Sequence, residues 1–162
     1  MKPTAEMLAL QQAVTTCETH RDALTDALDD LKSRHLAAGD LEKLSREDRR
    51  LLDQFAYRYT RLQDDMGVRL IPAILRSLGE DVSNMPVIDR LNRLEQLGWL
   101  PSADEWVELR RIRNEFTHEY PETPEERLER LQLAAESAAR LLEILGIFLE
   151  KIASRFPGEM IQ

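Results

Sequence analysis

The chain is poor in what builds cross-linked, strand-rich or membrane-spanning proteins. Its 162 residues include one cysteine, 6 glycines, 7 prolines and 6% aromatics. A lone Cys17 excludes an internal disulfide, and three histidines without CxxC or HExxH spacing supply no metal-ligand motif. So few turn formers and aromatics argue against an all-β fold. No apolar run reaches the roughly 18 residues that span a bilayer, and Glu6 interrupts the start before a signal-like core forms. A cytoplasmic protein without membrane contact is expected. A basic surplus is missing as well: 22 basic against 30 acidic residues give a net charge of −8. That balance argues against coating nucleic acid through the overall field.

What is present is 43% hydrophobic and 32% charged residues, biased to Leu, Ala, Glu and Arg, the composition of long helices. Five segments emerge. The first runs from about Thr4 to His35, with Gly39 as its stop, and steps through Met7, Leu10, Val14, Cys17, Leu24, Leu28 and Leu31, with Arg21 in the skipped place. The second is capped by Ser45 and buries Leu52, Phe55, Tyr59, Leu62, Met66 and Leu70; Pro72 predicts a kink before Gly79. A short third helix, about Pro86 to Gln96, stops at Gly98 and is clasped by Trp99 and Leu100. The fourth starts with a capping box at Ser102 and Glu105 and turns Trp106, Leu109, Ile112, Arg113 and Phe116 to one side. Thr123 and Pro124 open the fifth, whose stripe is Leu128, Leu131, Ala135, Ala138, Leu142, Leu145, Leu149 and Ile152. The expected fold is all-α, an antiparallel bundle of about five helices forming one domain over 1–162, with no linker or repeat. Three helices far longer than the usual 11–12 or so residues make a homodimer the expected state.

The stretch between the last two helices concentrates the chemistry. Arg113 occupies a position where an apolar residue belongs, and burying an unpaired guanidinium is costly. His118 follows five residues later, then Tyr120, before Pro121 stops the helix. On an ideal helix Arg113 and His118 lie about 140° apart, so they converge only if the last turn unwinds or a second chain supplies one of them. Arginine and histidine are the minimum for cleaving a phosphodiester. The guanidinium holds phosphate oxygens by two parallel bonds and the imidazole moves a proton at the ribose 2′-hydroxyl or the leaving 5′-oxygen. Neither metal nor organic cofactor is required.

The run Arg113-Asn114-Glu115-Phe116-Thr117-His118-Glu119-Tyr120 resembles the Arg-x4-His-x-Tyr motif of HepT-like toxins, which are HEPN-domain ribonucleases. An all-helical chain of this size with the motif late in the sequence fits the same resemblance. It implies a metal-independent endoribonuclease toxin acting on tRNA or mRNA, a homodimer with the two motifs across a cleft, and a partner nucleotidyltransferase antitoxin of the MntA type. On this resemblance Arg113 binds the scissile phosphate, His118 is the general acid/base, Asn114 supports them, and Tyr120 receives AMP from the antitoxin. An AMP group there would plug the cleft and add negative charge where RNA phosphate sits. Arg110 and Arg111 are candidate RNA contacts. Another reading is a non-catalytic helical module that binds a nucleotidyltransferase and its substrate.

Each of these residues also has a plainer reading. Arg113 can form an ion pair with Glu105, Asp64 or Asp65; His118 can close a helix end; Tyr120 can anchor the turn. His20 and His35 read as residues without a role, and Cys17 as core. Arg46, Arg49, Arg50, Arg58 and Arg61 form either a backbone-binding track or, with neighbouring acids, a solvated face. The acids Glu119, Glu122, Glu125 and Glu126 suit a helix N-terminus and an antitoxin docking edge.

Overall fold

The computed structural model describes residues 2–118 and 122–159, and among them every regular element is helical. The elements are α1 (Ala5–Arg34), α2 (Ala38–Glu42), α3 (Arg46–Asp65), a π-helical turn (Met66–Leu70), α4 (Ile71–Ser77), α5 (Val87–Gln96), α6 (Ala103–Thr117) and α7 (Pro124–Arg155). The capping side chains are all used, but the expected capping box is only half formed, since Glu105 gives its carboxylate to Arg140. Thr4, Ser45, Ser102 and Thr123 each accept a hydrogen bond from a first-turn amide, satisfying a donor that would otherwise be orphaned.

Paired residues fix the direction of the long helices. Arg34 of α1 reaches Asp48 of α3 while His20 reaches Asp65, so α1 and α3 run antiparallel. The same reasoning applies to α6 and α7, where Glu105 meets Arg140 and His118 meets Arg130. One apolar cluster joins them, with Leu10, Leu24, Phe55, Leu62, Trp106, Leu141 and Phe148 among its most enclosed members.

Four boundaries or faces differ from the sequence reading, the first being that α3 buries Leu51 while Leu52 is only partly covered. Helix α1 stops at Arg34 because His35 adopts a left-handed conformation (φ 48°), and Gly39 lies inside the small helix α2 instead of ending α1. In α1 the skipped seam place is filled by His20, buried, while Arg21 turns out to Glu18 and Asp22. In α7 the most enclosed positions are Ala134, Ser137, Ala138, Leu141, Ile144, Leu145, Phe148 and Ile152; Leu131, Ala135, Leu142 and Leu149 are partly covered. A helix packed between neighbours buries an arc wider than a single three-four stripe, so the stripe alone misplaces its centre.

The expected kink takes the form of the π-turn. Pro72 has no N–H for the usual bond and its ring would strike the carbonyl four residues back. The chain widens by one residue there: the Ile71 amide donates to the Met66 carbonyl, a five-residue step. Val68 is thereby left 73% exposed. Beyond α5, the amides of Trp99 and Leu100 both donate to the Leu94 carbonyl, which makes the expected clasp.

Candidate functional site

Helix α6 ends at Thr117, and His118 leaves it with extended backbone (φ −80°, ψ 138°). Its amide donates to the Glu115 carbonyl and its own carbonyl accepts from Nη1 of Arg130 at 3.0 Å. Arg130 also meets Glu122 at 3.2 Å. These bonds tie the start of α7 to the end of α6, so α7 itself places His118.

The exposed His118 side chain lies against a cavity of about 610 Å³ between α2, α3 and the start of α7. Arg49, Arg127 and Arg130 line it with His118, above an apolar floor that includes Leu52 and Phe116. Arg49 and Arg127 are exposed and make no ion pair or side-chain hydrogen bond among the described residues, so their guanidinium donors are available. Asp53 and Glu122 supply the negative share of the wall. A histidine beside a hollow with the guanidinium groups of Arg49 and Arg127 can hold a phosphate and exchange a proton with it. Arg49 was visible in the sequence as one of a track; Arg127 and Arg130 were missed, because acids surround both along the chain and only the fold turns them to His118.

Arg113 faces elsewhere. Its Nη2 donates to Oδ2 of Asp64 at 2.6 Å, and its side chain is 20% exposed. The plain ion-pair reading of Arg113 therefore holds in this chain, and the acid is Asp64. Glu105 is taken by a two-pronged bond from Arg140, with both distances 3.0 Å, and Asp65 by His20. Nε of Arg113 is buried without a hydrogen-bond partner. Asn114 is exposed and its side-chain oxygen lies 3.4 Å from Nη1 of Arg113, a long contact. The His118 cavity touches α3 no further along than Ala56, and Asp64 lies about 12 Å beyond it at the helical rise. One protomer thus sets His118 and Arg113 against different parts of α3.

Arg111 is held by Glu108 and Glu115 on its own helix, which push its pKa upward, and so it is not a free RNA contact. Arg110 is exposed and lines a second, smaller hollow with Asp64 and Trp106. Tyr120, the expected AMP acceptor, lies outside the described residues. No group of histidine, cysteine and acid side chains suited to a metal occurs among the described residues.

His20, read from sequence as having no role, is the centre of a buried network. Its Nε2 lies 3.0 Å from Oδ2 of Asp65 and its Nδ1 3.0 Å from Nη1 of Arg58. Since a guanidinium can only donate, Nδ1 accepts and Nε2–H donates to the carboxylate. Spacing along the sequence held no sign of this, because the three residues come from two helices. Nearby Cys17 is fully buried, and burial, then the Asp65 charge, push its thiol up to about 12. Tyr59 is likewise raised to about 12 by burial, with the Arg113 charge acting the other way. No family model, curated protein or solved structure matches this chain.

Proposed function

We propose that the chain is a metal-independent endoribonuclease of the HepT-like kind, the toxin of a toxin–antitoxin pair, acting as a homodimer. The observation that carries this reading is His118 at the edge of the 610 Å³ cavity with Arg49, Arg127 and Arg130 around it. In this reading Arg49 and Arg127 bind RNA phosphates, Arg130 holds the backbone of His118 in place, and His118 carries the proton. The second protomer would bring its own His118, giving an acid and a base, and would supply the Arg113 that one chain keeps apart from His118. A nucleotidyltransferase antitoxin would silence the enzyme by transferring AMP to Tyr120, two residues from His118.

The test is incubation of the purified protein with tRNA and mRNA in EDTA, beside His118→Ala. Cleavage by the wild type and its loss by at least about 100-fold in the variant are expected. Intact RNA with the wild type overturns the nuclease reading. For Tyr120, a cognate nucleotidyltransferase with ATP should add adenylyl groups to the wild type and none to Tyr120→Phe.

A second reading, a non-catalytic helical partner of a nucleotidyltransferase, draws on one observation: Arg113 is engaged by Asp64 and Arg111 by Glu108 and Glu115. Co-purification of the two proteins, with RNA left intact and cells unharmed by the chain alone, would favour it.

A further inference from the structure

Helix α3 carries five arginines and five acids, and the fold treats the two signs differently. Glu47 and Asp48 pair with Arg34 of α1, Asp64 with Arg113 of α6, and Asp65 with His20 and Arg69. Among the described residues none of Arg46, Arg49, Arg50, Arg58 and Arg61 pairs with an acid, and Asp53 is the one acid of α3 left without a partner. The acids are drawn to neighbouring elements, and the unpaired charge left on the helix is mostly positive.

The positions of these charges specify the chemistry. At about 100° per residue, Arg46, Arg50, Tyr57 and Arg61 fall within about 60° of one another around α3. All four are exposed, Tyr57 by 54%. The Tyr57 ring is braced from within. The Arg58 guanidinium lies over it, 5.4 Å from the centroid, and the His20 ring meets it at 77° with centroids 6.4 Å apart. Arg58 is held in turn by Nδ1 of His20, and His20 by Asp65. A buried network thus fixes an aromatic ring that presents its outer surface to solvent between unpaired arginines. That is the arrangement that holds single-stranded nucleic acid, the ring stacking a base while guanidinium groups meet the phosphates. Arg49, on the adjoining side of the same helix, continues the positive strip into the His118 cavity.

We propose that this face of α3 is a track for single-stranded RNA, with a base stacked on Tyr57 and phosphates on Arg50 and Arg61, leading to His118. The proposal deepens the nuclease reading by naming the form of the substrate, and rests on that reading for RNA as the polyanion. A base inside a duplex is already stacked on both sides and cannot take Tyr57, so the track selects unpaired RNA.

Fluorescence anisotropy of a short labelled oligouridylate with His118→Ala protein tests it without any cleavage. Adding Tyr57→Ala is expected to weaken binding at least about fivefold with the salt slope unchanged. Tyr57→Phe, which keeps the ring, should bind within about twofold of the parent. Arg50→Ala and Arg61→Ala should each lower the salt slope by about 0.7, the single-strand increment for one phosphate. A blunt RNA duplex of the same length should compete poorly. Absence of binding, equal affinity of Tyr57→Ala and the parent, or a loss in Tyr57→Phe as large as in Tyr57→Ala overturns the track. So do salt slopes that neither arginine moves, and a duplex bound as tightly as the single strand. Sedimentation showing that Tyr57→Ala breaks a dimer would give this face to a second copy and overturn it as well. Binding by the track of RNA that the wild type leaves intact refutes the nuclease reading alone. Cleavage by the wild type, with binding indifferent to Tyr57, refutes the track alone.

Discussion

Two histidines of this chain meet arginine in opposite settings. His20 is enclosed between α1 and α3, with Asp65 on one nitrogen and Arg58 on the other, so its bonding capacity is spent inside the protein. His118 stands at a helix end beside a hollow, with Arg49 and Arg127 uncommitted next to it. The residue types are the same and the consequences differ: the first pair stabilises the fold, the second can serve a ligand. The arginines repeat the contrast, since Arg113, with the stronger motif credentials, is bound to Asp64, while the unremarked Arg127 is open.

The buried side should show itself most strongly in alkali. Cys17 is moved from an ordinary 9.0, and Tyr59 from 10.0, to about 12. Both groups hold their protons more tightly when folded, so their contribution is complete below about pH 9 and is lost as the pH rises towards 12. Urea midpoints should fall steeply across that window, and less steeply in Cys17→Ala; a flat profile to pH 11 would contradict the burial argument.

His20→Leu should cost about 3 kcal/mol in urea unfolding at pH 7, because it leaves the buried Asp65 carboxylate with only the longer, 3.7 Å pairing to Arg69. His118→Ala should leave stability within about 0.5 kcal/mol while abolishing RNA cleavage. If the two substitutions exchanged these outcomes, the contrast between the histidines would be wrong. On the arginine side, Arg49→Ala and Arg127→Ala should each lower the salt dependence of RNA binding by about one counterion. Arg111→Ala, a surface group already bound to two acids of its own helix, should change neither binding nor stability by more than about 0.5 kcal/mol. Equal losses from Arg111 and Arg127 would show that ion pairs within a helix do not withhold a guanidinium from RNA.

Much of the architecture was readable along the chain, for local reasons. Thr4, Ser45, Ser102 and Thr123 announce helix starts because the donors they satisfy lie within three residues. Pro72 announces a distortion because its ring acts on its own helix, although the form, a π-turn at Met66–Leu70, depended on how the widened turn packs. The candidate site was less legible. His118 at a helix end was foreseen; its companions Arg127 and Arg130 were not, since α7 meets α6 only after the chain reverses. The assignment of Asp64, Asp65 and Glu105 to Arg113, His20 and Arg140 was equally hidden, because the partners lie 49, 45 and 35 residues apart along the chain and only the packing of the helices brings them together.

By itself, then, the sequence determined the helices, their caps, the absence among the described residues of a helix long and apolar enough to cross a membrane, and the stretch in which reactive groups gather. These depend on forces acting within a turn or two of backbone. Only the tertiary structure decided which charges are consumed and which stay available, because an ion pair forms wherever two helices bring opposite charges within reach, and no spacing along the chain records that meeting.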